Sequence, residues 1–173
     1  MPGMKERTIL LNGFSKAWAM TGFRLGFACA PPELIEAMMK IHQYTIMCAP
    51  ILSQKAGIEA VRNGDADIEE MRGHYERRRN FICGALNDMG LACHLPRGAF
   101  YAFPSVKGFG VTSREFSLRL LDEENVACVP GTAFGPSGEG YIRCSYAADL
   151  DDIKEAMSRM ARFVERLRNR KTA

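Results

Sequence analysis

The stretch SKAWAMTGFRLG, residues 15–26, sets a lysine and an arginine eight positions apart among apolar residues and glycines. Two β-prone runs adjoin it, TILLN at residues 8–12 and RLGFACA at residues 24–30, and each predicts a buried strand. Because Lys16 follows the first strand among aromatic and methionine side chains, we expect it to be partly desolvated, which favours the nucleophilic neutral amine. Arg24 suits a phosphate dianion, which a guanidinium binds through two hydrogen bonds. Residue types alone do not distinguish this chemistry from two surface side chains.

Composition bounds the fold and excludes several classes of partner. The 173 residues are 47% hydrophobic and 25% charged, with a formal net charge of +3. This is typical of a globular protein with one domain, or one domain and part of another. The arginines at 77–79 lie in a helical pattern and predict a solvated face, so we expect no nucleic-acid partner. The polar start MPGMKERT predicts no signal peptide, and no apolar run approaches membrane-spanning length, so we expect a cytoplasmic protein with no membrane partner.

The cysteines predict a reducing compartment and no metal site. They have apolar neighbours, as in FICGAL and VACVP, and no pair has the CxxC spacing of a zinc or redox motif. This pattern is typical of buried reduced thiols rather than of a disulfide framework. The histidines have no metal-ligand spacing either. The cysteines are Cys29, Cys48, Cys83, Cys93, Cys128 and Cys144, and the histidines are His42, His74 and His94.

Apolar periodicity and end signals predict five helices. Pro31 and Pro32 open the first helix, and Gly90 ends the long third one. The last helix carries an apolar stripe that we expect to face the core. The helices span about residues 33–44, 51–62, 65–89, 112–124 and 150–168, with Thr112 or Ser113 as the N-cap of the fourth, Asp149 or Asp151 as that of the fifth, and Ile153, Met157, Met160, Phe163, Val164 and Leu167 on the stripe of the last.

The sequence predicts an α/β chain of two parts. Four short β-prone runs follow Gly90, namely LACHLP, GAFYAFPSV, VACVP and YIRCSYA, and glycine and proline turns separate them. With the surrounding helices they predict a small α+β domain over residues 65–173, a small antiparallel or mixed sheet covered by helices. The two apolar strands of residues 1–64 need partner strands that this segment does not offer. We therefore interpret residues 1–64 as the remnant of a larger domain.

Four ordered motifs carry a resemblance to a known family. NGFSKAWAMTGFRLGF, residues 12–27, resembles the lysine signature S-K-x-x-x-M-T-G-x-R-x-G of class I/II aminotransferases, which use pyridoxal 5′-phosphate (PLP) and have fold type I. PRGAFYAFP at 96–104, VPGTAFG at 129–135 and YIRCSYA at 141–147 resemble later motifs of that family, in the same order. The resemblance covers nearly the whole chain. It implies the C-terminal part of the PLP-dependent transferase fold type I, with a remnant of the large-domain sheet.

The resemblance also implies roles for four residues. Lys16 is similar to the lysine that forms the Schiff base with the cofactor and moves the proton between the substrate Cα and the cofactor's C4′ carbon. Arg24 is similar to the phosphate-binding arginine, and Ser15 is expected to donate to the same phosphate. Arg143, in the run YIRCSYA, is similar to the arginine that binds the substrate α-carboxylate. The resemblance thus implies amino-acid and 2-oxo-acid substrates and, in the full-length form, a homodimer.

The sequence departs from the family ahead of Lys16. A complete member has a large region there, which supplies a glycine-containing phosphate loop, an aromatic residue that stacks on the pyridine ring, an asparagine, and an aspartate that pairs with the pyridinium nitrogen. Fifteen residues precede Lys16 in this sequence, and they contain none of these elements. We therefore interpret the chain as a C-terminal portion and expect little or no transaminase activity from it alone.

Other functions share the same lysine signature. A PLP-dependent β-lyase would use the same lysine. An aminotransferase-like PLP-sensing domain of a transcription regulator would need an upstream helix-turn-helix domain, which this sequence lacks. A scaffold with no cofactor is the third alternative, and the joint presence of Lys16, Arg24 and Arg143 argues against it.

The sequence leaves the substrate open. No lysine or arginine occurs between Ile41 and Gln54 that could bind a dicarboxylate side chain. Alanine, aromatic, methionine-type and aspartate donors all remain possible. Phe100 and Tyr101 suit either a substrate pocket or the core, and aromatic residues in a β-run belong more often to the core.

Overall fold

Residues 2–171, the part of the chain that this computed structural model describes, form five α-helices and five short strands. Contacts divide these elements into two units, and the division falls within the third helix, between Met71 and Arg72. The boundary expected after residue 64 stays a prediction. In chain order the elements are β1 (Leu10–Gly13), β2 (Gly26–Cys29), α1 (Pro32–Thr45), α2 (Ile51–Asn63), α3 (Asp65–Asp88), β3 (Tyr101–Ala102), α4 (Ser113–Glu124), β4 (Val129–Pro130), β5 (Ile142–Ser145) and α5 (Leu150–Lys171).

The helix predictions are confirmed to within a few residues. Pro31 precedes α1 in an extended conformation, and Pro50 does the same for α2, since proline suits the first turn of a helix and its flank. The hydroxyl of Thr112 caps α4 by accepting from the Glu115 N–H at 3.1 Å. The carboxylate of Asp149 accepts from the Asp151 N–H at 2.9 Å at the start of α5. Within residues 2–171, no helix is both long and apolar enough to cross a membrane.

The first unit is built on the antiparallel hairpin of β1 and β2. Leu10 pairs with Cys29 and Gly13 with Gly26, so residues 14–25 form the connection. The hairpin edges carry no further strand among the described residues, because β1 and β2 make up a two-stranded sheet. The hairpin therefore supports the connecting residues without enclosing them.

The prediction that both strands are buried is wrong. Leu11 of β1 is 71% exposed and Phe27 of β2 is 40% exposed. Their β-branched and apolar composition indicated the strands correctly, but burial depends on neighbouring strands and helices that come from elsewhere in a chain. The second strand also begins later than predicted, because Arg24 adopts a left-handed conformation with φ 51° and ψ 45°.

The second unit packs helices on one face of a three-stranded sheet. The strand order is β3-β5-β4 and both pairings are antiparallel. Ala102 and Ile142 are fully buried and Cys144 nearly so, because alternate residues of a strand face the core. The predicted stripe of α5 is confirmed, since all of its six side chains are buried. The core contains Leu86, Leu91, Phe116, Leu120, Ile142, Met160 and Phe163.

A glycine ends α3 as predicted. Gly90 has φ 77°, and its N–H donates to the Asn87 carbonyl at 2.8 Å while the Leu91 N–H donates to the Leu86 carbonyl at 2.9 Å. This is the Schellman arrangement, in which a left-handed residue after the helix lets two N–H groups bond the last carbonyls. Leu86 and Leu91 are both fully buried beside it, so the motif directs the chain into the core.

The run LACHLP, expected to be a strand, forms none. The side chain of Asn87 bonds this run instead: its Oδ1 accepts from the Cys93 N–H at 3.0 Å and its Nδ2 donates to the Cys93 carbonyl at 3.0 Å. The same Nδ2 donates to the Cys83 carbonyl at 2.8 Å. The amide of Asn87 thereby replaces the strand partner that Cys93 would otherwise need.

The prediction of six buried thiols is correct for only half of them. Cys29 and Cys48 are exposed, because they lie in the first unit where little packs on the hairpin and the helix ends. Cys83, Cys93 and Cys144 are buried and Cys128 is half-buried, all in the second unit. Burial, together with the Cys93 thiol at 3.9 Å, raises the pKa of Cys83 to about 12, so this thiol is protonated at neutral pH.

Candidate functional site

Residues 14–25, which we call the lysine turn, join β1 to β2. The Phe14 N–H donates to the Leu25 carbonyl at 3.1 Å and closes the turn at its base. The Met20 N–H donates to the Phe14 carbonyl at 3.3 Å, and this bond divides the lysine turn into two parts. Ala19 and Arg24 both have positive φ, at 52° and 51°. Non-glycine residues adopt this conformation rarely, so the turn is held by its surroundings rather than by local preference.

The turn rests on helix α2. The indole N–H of Trp18 donates to the Ala60 carbonyl at 3.0 Å, and the hydroxyl of Ser53 donates to the Phe23 carbonyl at 2.6 Å. Phe14 is buried, and its ring lies 4.8 Å from the Trp18 ring. Two side-chain hydrogen bonds and this aromatic pair therefore fix both halves of the turn against one helix.

Small residues of α2 allow this close approach. A Cβ added at Gly57 would lie 2.5 Å from Cδ2 of Leu25. One added at Gly64, just after the helix, would lie 3.0 Å from Cδ1 of Trp18. Both glycines are buried, as is Ser53. Apolar periodicity does not reveal this face, because its signal in the sequence is a run of small residues at helical spacing, Ser53, Gly57, Ala60 and Gly64.

Lys16 lies at the exposed side of the lysine turn. Its side chain is exposed, so the expected partial desolvation is wrong. The physical reason is that the apolar neighbours are the residues that turn inward: Phe14 and Met20 are each 7% exposed, and Trp18 is half-buried. Ser15 beside it is half-buried, and its carbonyl accepts from the Thr21 hydroxyl at 2.9 Å.

Arg24 closes the other end of the turn. Its Nη1 donates to the Thr21 carbonyl at 2.9 Å, which leaves the Nε and Nη2 groups outside that bond. The side chain is exposed. Thr21 thus links the two ends, because its hydroxyl bonds Ser15 and its carbonyl bonds Arg24. Lys16 and Arg24 are thus both exposed residues of the lysine turn.

Arg143 lies in β5 of the second unit and pairs in register with Val129 of β4. It is half-buried between aromatic rings: Cζ lies 4.3 Å from the ring centroid of Tyr101 and 4.4 Å from that of Phe134. Among the residues that the structure describes, no carboxylate forms an ion pair with Arg143. The guanidinium thus lies against two rings, and a carboxylate is the anion that its N–H groups suit.

The aromatic residues divide between the core and this site. Phe100 is half-buried and packs on Tyr75, with ring centroids 5.9 Å apart. Tyr101 also contacts Phe100, with ring centroids 4.6 Å apart, and has its ring on Arg143. The sequence alone allows Tyr101 either location, and it predicts no role for Phe134, which lies in the run VPGTAFG.

The structure brings Ser15, Lys16 and Arg24 together in one turn, whereas Arg143 belongs to the second unit. No group of three or more histidine, cysteine, aspartate or glutamate side chains within residues 2–171 is arranged to hold a metal ion. The candidate groups are the Ser15 hydroxyl, the Lys16 amine and the Arg24 guanidinium in the first unit, and the Arg143 guanidinium with its aromatic neighbours in the second.

Comparison with known proteins identifies similar sequences. The family model described as Aminotransferase class I and II matches residues 1–160. YugH of Bacillus subtilis (strain 168), named as an aminotransferase, is 57% identical over 166 residues, which are 96% of this chain and 43% of that protein. An aspartate aminotransferase of Pyrococcus abyssi is 49% identical over 166 residues, which are 95% of this chain and 43% of that protein. The chain thus spans about 43% of the length of these curated relatives.

A solved structure agrees with the fold. The aromatic aminotransferase from Pyrococcus horikoshii OT3 superposes with a TM-score of 0.92 at 47% identity, over 100% of this chain and 46% of that chain. This confirms the expected fold class, an α/β chain that corresponds to the C-terminal part of fold type I.

Proposed function

The chain belongs to the class I and II aminotransferases, and from that membership we propose that it is the C-terminal portion of an amino-acid aminotransferase. The reaction is the transfer of an amino group from an amino acid to a 2-oxo acid, with PLP as cofactor. The observation that carries the proposal is the lysine turn, where one bonded loop presents Lys16 and Arg24 on a helix shaped to receive it.

The residues of the lysine turn fit PLP chemically. The cofactor has an aldehyde at one end and a phosphate at the other, and the turn carries a lysine and an arginine that are both exposed residues. Arg24 would hold the phosphate. Its Nη1 bonds Thr21, and its Nε and Nη2 groups would donate hydrogen bonds to the phosphate oxygens. The Ser15 hydroxyl is the proposed second donor. Bound PLP supplies an electron sink for the electrons left when the substrate Cα loses its proton.

Lys16 has two roles in this proposal. Its amine would hold PLP at the aldehyde carbon, and the same amine would carry the proton to and from the substrate Cα. The turn suits both roles because Phe14, Trp18 and Met20 fix the backbone on either side while the lysine side chain stays exposed.

Arg143 is the proposed substrate residue. Its guanidinium binds the α-carboxylate through two hydrogen bonds, which orients the Cα–H bond for removal of the proton. This role is consistent with a half-buried guanidinium that has aromatic neighbours and no ion-pair partner in the described part of the second unit.

The whole protein is proposed to be a cytoplasmic homodimer. Residues 1–64 would belong to its large PLP-binding domain and residues 65–173 to its small domain. Because the chain spans about 43% of its relatives and contains no phosphate loop, stacking aromatic or pyridinium-pairing aspartate ahead of Lys16, we expect the 173-residue chain alone to have little or no activity.

We propose no single amino acid as the amino donor. The named relatives include an aspartate and an aromatic aminotransferase. Residues 41–54 contain no lysine or arginine, so we propose that this segment does not select a second carboxylate.

Labelling tests the proposal directly. The 173-residue chain is incubated with PLP and reduced with borohydride, and the modified lysines are mapped by mass spectrometry. We expect selective modification of Lys16 over the other lysines, strongly reduced in Arg24→Ala. Arg62→Ala, which removes an exposed arginine of α2, is the matched control and should leave the label in place. Scattered labelling of surface lysines, or labelling indifferent to Arg24, would contradict the proposed cofactor site.

A further inference from the structure

The sheet of the second unit has one face in the core and one that carries aromatic and cationic side chains. Ala102, Ile142 and Cys144 face the core. The other face, which we call the aromatic face, includes side chains that the alternation of β3 and β5 brings to the same side of the sheet. Its members are Tyr101, Phe103, Tyr141 and Arg143 from or beside the strands, and Phe134 from the short 3-10 helix Gly131–Phe134.

Contacts within this face join the rings into one cluster. The Phe103 ring stacks on Tyr141 at 5.6 Å and meets the edge of Phe134 at 6.1 Å. Phe134 is 49% exposed, and it reaches Arg143 at 4.4 Å from the end of its 3-10 helix. This half-exposed ring therefore lies on a cation, where cation–π attraction favours the contact.

The position of Phe134 is determined by the loop that carries it. Gly131 and Gly138 approach so closely that a Cβ on either would overlap the backbone of the other. The Gly131 N–H also donates to the Tyr141 carbonyl at 2.8 Å, beside β5. Since backbone rather than flexible side chains fixes the loop to the strand of Arg143, the ring of Phe134 is held in place before any ligand arrives.

We infer that Tyr101 and Phe134 are positioning residues, which hold the guanidinium of Arg143 by its π-face so that its N–H edge stays directed to the carboxylate of an amino acid or 2-oxo acid. The inference rests on the proposed function, because it assigns the substrate carboxylate to Arg143. It adds that two rings, and not a carboxylate partner, orient the fork. An acidic partner would compete with the substrate for the same N–H groups, whereas a ring contacts the face and leaves the edge free.

The test uses the 173-residue chain with ¹⁵N- and ¹³C-labelled arginine, observed by NMR. The Arg143 side-chain signals are identified by their loss in Arg143→Lys. Ring currents from two rings should displace these signals from those of exposed arginines. Pyruvate, a 2-oxo acid, is then titrated, and we expect it to move the Arg143 signals.

Two ring-removing variants and two controls complete the experiment. Phe134→Leu and Tyr101→Leu should return the Arg143 signals toward those of exposed arginines and weaken pyruvate binding about two- to fivefold. Phe134→Tyr keeps the ring and should retain parental affinity. Phe103→Leu removes a ring of the same face that contacts Phe134 rather than the guanidinium, and should change the affinity little.

The outcomes separate this inference from the proposed cofactor site. Ring-dependent pyruvate binding at Arg143 supports the inference even if Lys16 fails to take up PLP. Unchanged Arg143 signals and affinity in both leucine variants, or no response of Arg143 to pyruvate in the parent chain, overturns it even if Lys16 is labelled.

Discussion

Trp18 donates its indole N–H to the backbone carbonyl of Ala60 at 3.0 Å, a hydrogen bond that joins residues 42 positions apart. It ties the lysine turn to the last turns of α2. A helix carbonyl near the C-terminus has no partner in the helix itself, or shares one, so it is a ready acceptor for a side chain. The Ala60 carbonyl also accepts the Gly64 N–H at 3.0 Å, so the indole is its second donor, and the bond holds the segment between Lys16 and Arg24 to the helix end.

Removing this bond should loosen the lysine turn. Trp18→Phe keeps the aromatic contact with Phe14 but removes the donor to Ala60, so we expect a loss of about 0.5–1.5 kcal/mol in the free energy of unfolding. The measurement is urea unfolding followed by circular dichroism. Lys16 labelling by PLP should fall in parallel. A variant as stable as the parent would show that the bond contributes nothing to holding the turn.

A larger residue at Gly57 of α2 should displace the lysine turn. Gly57→Val places methyl groups where an added Cβ already lies 2.5 Å from the Leu25 side chain, so we expect a destabilisation of about 1–3 kcal/mol. Because Trp18 is the sole tryptophan, its fluorescence during urea unfolding reports on this docking.

Gly84→Ala is the matched control for that change. Gly84 lies in α3 with open space around its Cα, so alanine there should stabilise by about 0.5–1 kcal/mol through helix propensity. If Gly57→Val were instead as stable as the parent, with unchanged Trp18 fluorescence, the close approach of the turn to α2 would be contradicted.

Removing the amide of Asn87 should destabilise the second unit. Asn87→Ala deletes three hydrogen bonds and leaves the N–H of Cys93, a buried residue, without its acceptor. We expect a loss of about 1–3 kcal/mol in unfolding free energy, measured by urea unfolding. Asn80→Ala, on the exposed surface of the same helix, should change stability by no more than about 0.5 kcal/mol. Equal effects of the two substitutions would rule out the strand-replacing role of Asn87.

Local signals in the sequence were sufficient for the helices. Proline at their starts, Thr112 and Asp149 as caps and Gly90 at the end of α3 act within a few residues, so a sequence reveals them directly. The signature around Lys16 likewise identified the family, because its residue spacing is specific.

Features that depend on distant segments could not be read in this way. The β1–β2 hairpin has the composition of buried strands, but its exposure depends on what pairs with it. The run around Cys93 has strand composition, yet the side chain of Asn87 forms the hydrogen bonds to the Cys93 N–H and carbonyl that a neighbouring strand would form. Phe134 reaches Arg143 because the backbones of Gly131 and Gly138 pack directly on each other, and no local pattern in the sequence indicates this contact.

Acid should weaken the contact between α4 and α5. Glu124, at the end of α4, is only 7% exposed and pairs with Arg162 at 2.9 Å and Arg166 at 2.7 Å. Hydrogen bonds, first from Arg166 and then from Arg162, hold the pKa of Glu124 below its ordinary value of 4.5. The folded protein therefore binds the proton less readily than the unfolded chain, so the stabilisation is present above about pH 4.5 and is lost as the pH falls through the folded pKa.

Glu124→Gln should remove this part of the pH dependence. The variant is expected to be less stable than the parent at neutral pH and to approach it in acid, because the parent loses the same ion pairs there. Urea unfolding by circular dichroism at about pH 7 and about pH 3 measures the difference. Asp122→Asn, an exposed acid on the same helix, should leave the parental pH dependence in place. If Glu124→Gln and the parent lost the same stability between the two pH values, the two arginines would not be holding an ionised Glu124 in the folded state.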